Sequence, residues 1–180
     1  MINKYLLIIM ILFCSGCKSS GDSNGLLIKT VPYVDIQKFM GDWYVIANIP
    51  TFIEQRATNS IESYYLNSDG VIETTFSFYQ DSPKGALKIY KPKGFIHNNE
   101  TNAEWRMQFL WPFKLPFLII DLADDYRYTV IGYPSRKYLW IMSREPHISN
   151  EDYLDITENL VSLGYDIKKI KKVIQEWDLK

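Results

Sequence analysis

The feature that most constrains the fold is a succession of short runs rich in β-branched and aromatic residues. Each is closed by a turn signal, and a single helical pattern follows them. Trp43 to Asn48 reads as the first strand, ended by Pro50. Thr58 to Leu66 and Val71 to Tyr79 form a hairpin about Asn67-Ser68-Asp69-Gly70, with glycine where the turn needs positive φ. Asp81-Ser82-Pro83-Lys84-Gly85 breaks the chain. Ala86 to His97 is the fourth strand, bent at Pro92 and Gly94 because proline removes a ladder donor. After the turn Asn98 to Asn102 come Glu104 to Trp111, Phe117 to Leu122, Tyr126 to Gly132 and Tyr138 to Ser143. Ser149 then reads as an N-cap for a helix on which Tyr153, Ile156, Leu160 and Leu163 share one face. Gly164 ends it, and a shorter segment from Ile167 to Ile174 flanks it. Ahead of the first strand, Asp35 caps a helical turn over Val34 to Met40 that Gly41 stops. The whole predicts an all-β antiparallel barrel or sandwich with one helix outside.

At 180 residues with 47% apolar content, the chain is long enough to bury one sizeable core. Its 20 basic and 21 acidic residues nearly cancel, so no basic face for nucleic acid is indicated. Lys168-Lys169-Ile170-Lys171-Lys172 is the only dense basic cluster and reads as the solvated face of a short helix, with an anionic-membrane contact as the alternative.

Residues 1–16 form a separate object. Lys4 supplies a positive start, Tyr5 to Phe13 is an uninterrupted apolar run, and Ser15-Gly16 precedes Cys17. The layout resembles a bacterial lipoprotein signal, which implies cleavage before Cys17 and lipidation (a palmitate-type anchor) of its sulfur. Cys14 occupies a position where such signals prefer leucine. With Cys14 removed, Cys17 is the only cysteine left, which excludes an internal disulfide and a four-cysteine metal centre. Residues 17–30 then read as anchor and flexible tether, and residues 31–180 as the domain. Lys18 after the anchor favours the outer membrane by the same resemblance.

Three patches carry a second resemblance. Gly41-Asp42-Trp43-Tyr44-Val45-Ile46-Ala47 is similar to the opening of bacterial lipocalins and their plant and apolipoprotein D-like relatives. Asp124-Asp125-Tyr126-Arg127-Tyr128 resembles a second family patch, with aspartate in place of threonine. Tyr138-Leu139-Trp140-Ile141-Met142-Ser143-Arg144-Glu145-Pro146 resembles a third. The resemblance implies an eight-stranded antiparallel up-and-down lipocalin barrel with one C-terminal α-helix packed outside, wide enough for one small ligand. It further implies a structural floor of Gly41, Trp43 and Arg144, the guanidinium lying on the indole.

Strand alternation then nominates the cavity. Arg144 inward places Met142, Trp140 and Tyr138 on the same side, and Trp43 inward selects Val45 and Ala47. Glu62 and Tyr64 follow from the resemblance. Phe76 with Phe78, and Met107 with Phe109 and Trp111, share faces whose direction one register slip would reverse. Glu62 is either a cavity carboxylate with a raised pKa, a partner for a ligand cation, or an outward rim residue. Trp111-Pro112-Phe113-Lys114-Leu115-Pro116-Phe117 reads as an apolar turn at the barrel mouth, open to a membrane, a partner or plain packing.

Nothing points to catalysis. His97 and His147 are the only histidines, both near turns, and no nucleophile elbow, P-loop or metalloprotease motif occurs. Asp124 and Asp125 face opposite ways on a strand, and the sequon Asn99-Glu100-Thr101 is a chance match in a bacterial chain. No cofactor or metal is expected. The resemblance implies a non-enzymatic carrier of a fatty acid or lysophospholipid, serving membrane maintenance from the periplasmic face of the outer membrane. A filled barrel acting as an interaction or structural lipoprotein is the alternative, and a homodimer stays open.

Overall fold

The structure is a computed structural model that describes residues 27–177. The expected signal segment, Cys17 and most of the tether lie outside the described residues. Within them, helix α1 (Ile36–Phe39) precedes β1 (Gly41–Ile49), β2 (Ala57–Leu66), β3 (Val71–Gln80), β4 (Ala86–Tyr90), β5 (Lys93–Ile96), β6 (Glu104–Leu110), β7 (Phe113–Leu122), β8 (Tyr128–Gly132) and β9 (Leu139–Ser143). Helix α2 (Asn150–Ser162), a 3₁₀ turn (Ile167–Lys169) and β10 (Lys171–Lys172) follow. Every pairing is antiparallel between neighbours, and β9 returns to β1, so the sheet closes into a barrel. With β4 and β5 taken as one bent strand, the wall has the expected eight strands, and α2 packs outside it.

Two large cores and one small cluster, Ala57 with Phe76 and Phe78, share this wall. Inside the closed end, Phe39, Trp43, Val45, Tyr64, Trp105, Met107, Ile119, Ile131 and Met142 pack together. Between the wall and α2, Ile156 and Leu160 cover Ala47, Leu118, Ile120, Val130 and Ile141. Ser149 accepts a 3.0 Å bond from the Asp152 N–H and starts α2; Leu163 and Gly164, the latter at φ +81°, end it. Gly132 brings the helix side close, because a Cβ there would stand 2.7 Å from the Tyr165 hydroxyl. Ile28, within the segment read as tether, packs against this outer core, and the Val31 N–H donates to the Ile119 carbonyl at 3.0 Å.

Several boundaries differ from expectation for physical reasons. Pro92 splits the fourth strand: β4 pairs with β3 alone, and only β5 continues the ladder to β6. Tyr126 is not in a strand. It adopts φ +62°, and its hydroxyl accepts the Asp35 N–H at 2.8 Å, fastening α1 to the β7–β8 turn. The apolar stretch after Trp111 is not a long turn, because Leu110 pairs with Phe113 and β7 begins there.

The lysine cluster is not a helix face either. After one 3₁₀ turn the chain extends, and Lys171 and Lys172 pair with Asn48 and Ala47. The tail then runs between the upper parts of β1 and β2, where each strand carries a bulge, at Ile46 and at Asn59-Ser60. Bulges free backbone groups, and the tail satisfies them. Val173 donates to the Ile46 carbonyl at 2.9 Å, and Gln175 Nε2 donates to the Val45 and Ser60 carbonyls at 2.9 and 3.1 Å. Asn59, at φ +48°, exchanges two side-chain bonds with the Glu176 backbone.

Candidate ligand cavity

The barrel is filled at one end and hollow at the other. Trp43, fully buried, donates its indole N–H to the Phe39 carbonyl at 2.9 Å. The Arg144 guanidinium lies 3.7 Å from the Trp43 ring centroid and donates to the carbonyls of Asp42 (2.8 Å), Lys38 (2.6 Å) and Phe39 (3.2 Å). Planar stacking combined with several directed bonds requires arginine. Gly41, at φ +94°, passes so near that a Cβ would stand 3.4 Å from Arg144 Nη1. Phe39, Tyr64, Trp105 and Phe117 continue the floor as mostly edge-on rings, with one tilted and one stacked pair, 5.1–6.1 Å apart.

Above this floor is a cavity of about 700 Å³, within the usual range for a small-molecule site. Of the nominated residues, Glu62, Phe76, Met107, Phe109, Tyr138 and Trp140 line it. Val45, Tyr64 and Met142 are buried in the floor beneath it. Phe78 is buried beside Phe76 and Tyr90 in the β3–β4 wall.

Two nominations are corrected. Ala47 faces outward under α2, because the extra residue Ile46 moves β1 by one position between Val45, opposite Met142, and Ala47, opposite Ile141. Trp111 is at the tip of the β6–β7 hairpin and 81% exposed, because β6 ends at Leu110 and Trp111-Pro112 makes the turn.

Other lining residues were not nominated: Thr51, Phe52 and Ile53 from the β1–β2 loop, Tyr90 and Lys91 from the β4–β5 bend, Leu115 and Phe117 from β7, and Tyr133. Behind them is Glu54, only 6% exposed. Its carboxylate accepts the Trp140 indole N–H at 2.7 Å and the Thr51 N–H at 3.0 Å, and so fixes the ring that faces the cavity. The Thr51-x-x-Glu54 spacing, that of a capping box, is the sequence signal that could have found it, although only the carboxylate half of the box forms: the Thr51 hydroxyl donates to Glu54, and the Glu54 N–H goes to the Thr51 carbonyl.

Glu62 is the chemical centre of the cavity. It stands across from Trp43 on β1 and Phe76 on β3 and accepts the Tyr64 hydroxyl. Burial pushes its carboxyl up to about 7; the Tyr64 hydroxyl opposes this, and the Glu54 charge adds to it. Burial together with the facing Glu62 charge pushes the Tyr64 phenol well above its usual range.

A second depression, about 760 Å³, lies outside the barrel at the closed end, between Lys38, Tyr126, Arg127, Arg144 and His147. It is an open surface hollow, and its most prominent cation is already engaged. Arg127 holds Asp152 at 2.6 Å and Asp125 at 3.0 Å, and bonding to Arg127 keeps both carboxyls below the usual carboxylate range. Among the described residues no cluster of histidine, cysteine and carboxylates could hold a metal ion.

Residues 34–175 match the family model of the lipocalin-like domain. The chain belongs to the lipocalin-like family. Lipocalins bind small hydrophobic ligands and are generally binding and transport proteins, not enzymes. This lipocalin is 30% identical to temperature-induced lipocalin-1 of Arabidopsis thaliana over 156 residues, covering 82% of this chain and 83% of that one. It is 28% identical over 153 residues to the outer membrane lipoprotein Blc of Escherichia coli K12, covering 85% of each. Mouse apolipoprotein D is 29% identical over 145 residues, covering 76% of this chain and 74% of its own. Among solved structures, insecticyanin of the tobacco hornworm Manduca sexta superposes with a TM-score of 0.65 at 19% identity, covering 84% and 85% of the two chains. That likeness concerns the fold.

Proposed function

We propose that this lipocalin holds one single-chain lipid, a fatty acid or lysophospholipid, in the barrel cavity, and stores or transports it for membrane maintenance. The observation that carries the reading is the hollow itself: about 700 Å³, lined by Phe76, Met107, Phe109, Leu115, Phe117 and Trp140, and closed at one end by Trp43 and Tyr64. Removing acyl surface from water there supplies roughly 0.8 kcal/mol per CH₂. The hollow speaks against the filled-barrel alternative.

The mouth suits loading from a bilayer. Leu110, Trp111 and Phe113 are exposed at the β6–β7 tip, with Phe52 exposed on the β1–β2 loop. Lys114 lies within the tip and stacks 3.5 Å from the Phe95 ring centroid. Large apolar side chains grouped at an opening and flanked by lysine are what an anionic lipid surface accepts. No helix among the described residues is long and apolar enough to cross a membrane. In this reading the chain is attached through lipidation of Cys17 and faces the periplasm; the kinship to Blc outer membrane lipoproteins supports the outer-membrane part of it.

Native mass spectrometry of the purified protein, with extraction of what co-purifies, tests the reading. A stoichiometric fatty acid or lysophospholipid, lost on Trp140→Ala, is expected. A protein that is empty and takes up no added lipid would leave only the interaction-protein alternative.

A further inference from the structure

Two charged side chains, Glu62 and Lys91, line the cavity, and the one set against its floor is an acid, which assigns a polarity to whatever enters. Lys91 is solvent-exposed at the β4–β5 bend, whereas Glu62 is next to the floor, opposite Trp43. One Glu62 oxygen accepts the Tyr64 hydroxyl; the other has no donor among the described residues and belongs to the cavity lining. Glu54 holds a second negative charge behind Trp140. The walls around this end are aromatic, with Phe76, Phe117, Tyr138 and Trp140 among the lining residues. A carboxylate with a vacant acceptor, backed by another carboxylate and set among aromatic side chains, recognises an ammonium by ion pairing, to which a ring face turned toward it adds cation–π attraction. A ligand carboxylate in the same place would meet two like charges, with the Arg144 guanidinium committed beneath the floor to Trp43 and three carbonyls.

We infer that Glu62 seats the ammonium group of a single-chain amphiphile, such as a long-chain amine or amino alcohol, which lodges head-down in the cavity. A fatty acid of the same length enters tail-down and leaves its carboxylate at the mouth. The inference rests on the lipid-carrier reading of this cavity and gives that reading a head-group preference. The two orientations have opposite proton linkage. An ammonium binds the ionised Glu62, so its affinity rises with pH. A tail buried against Glu62 binds the protonated form, so its affinity falls. The titratable and charged groups facing Glu62 are Glu54, Tyr64 with Arg144 beneath it, and Tyr90, Lys91, Tyr133 and Tyr138 along the wall.

The test is calorimetric titration of the protein with dodecylamine, dodecanoate and dodecanol at pH 6 and pH 8. With Glu62 titrating at about 7, dodecylamine should tighten by about tenfold from pH 6 to pH 8 and dodecanoate should weaken over the same interval. In Glu62→Gln, both slopes should flatten and the amine should lose its advantage at pH 8. Tyr64→Phe removes the donor that lowers the Glu62 value, so it should shift the midpoint of the amine response to higher pH while keeping that response. An amine and a carboxylate with parallel pH responses, or an amine affinity unchanged in Glu62→Gln, would overturn the head-group inference while leaving the carrier reading intact. If none of the three ligands binds, the carrier reading fails and the inference with it.

Discussion

Replacing Trp43 by alanine is the strongest single perturbation of the barrel floor. The side chain is completely buried, so its loss removes a large aromatic from a core that cannot collapse around the gap. This costs about 3–5 kcal/mol. The indole N–H bond to the Phe39 carbonyl also goes, but that carbonyl keeps the Arg144 Nη2 donor at 3.2 Å and is not orphaned. The stacked guanidinium at 3.7 Å adds roughly 0.5–2 kcal/mol, at the lower end because Arg144 is only half-buried. The expected total is about 3.5–5.5 kcal/mol, a large part of the stability of a single domain. In a domain of this size, it lowers Tm by roughly 8–20 °C. Urea unfolding followed by far-ultraviolet dichroism should show a lower midpoint with an unchanged slope. Arg144→Ala and the double variant complete a cycle in which the pair couples by about 0.5–2 kcal/mol. A cost below about 1 kcal/mol for Trp43→Ala, or strictly additive costs, would refute the floor as the mutual support of these two residues.

Other predictions concern the cavity, the tail and the mouth. The folded-state Glu62 value of about 7 lies above its ordinary 4.5, so the native state holds its proton longer than the unfolded chain does. Stability therefore falls as pH rises from about 4.5 to 7, by up to roughly 3 kcal/mol, and then levels off. Glu62→Gln should remove that fall, so urea midpoints at pH 8 should exceed those of the native chain, and equal midpoints would count against a desolvated carboxyl. Asn59→Ala breaks both bonds to Glu176 and places a Cβ-bearing residue without a compensating side-chain bond at φ +48°, so a loss of about 2–3 kcal/mol is expected in thermal unfolding. Trp111→Ser with Phe113→Ser alters exposed residues only, so Tm should move little, while co-sedimentation with anionic vesicles should drop several-fold. Undiminished co-sedimentation would exclude the hairpin tip as the membrane contact.

Much of the barrel could be read from the chain because period-two patterning and turn chemistry agree along most strands. The Trp43–Arg144 floor could be read only through resemblance, since residues about a hundred positions apart leave no local trace of their contact. What escaped depends on single residues that interrupt a period. Alternation carried Trp43 to Val45 correctly and then failed at Ala47, because nothing in Val45-Ile46-Ala47 announces a bulge. Tyr126 reads as a strand residue by composition, yet its hydroxyl is needed by the Asp35 N–H, and this tertiary demand outweighs β-propensity. The lysines of the tail look like a solvated helix face until the bulges in β1 and β2 create acceptors that only an extended chain can reach.

The incomplete pairing of β4 changes what this wall can tolerate. A strand bonded along one edge can swing outward, away from the β6–β7 hairpin, without breaking any ladder bond of its own. On that side no ladder bond to the next strand fixes the girth of the hollow, so making room for a bulky or kinked tail would cost side-chain packing and not backbone bonds. Choosiness is left to the rigid end, where Glu62 is held. The same free edge is an invitation to another strand, and Leu87 and Ile89 lie exposed along it. Lys84, Lys88 and Lys91, spaced along this segment, place positive charge where a second copy's edge would have to align, and so keep an open edge from becoming a sticky one.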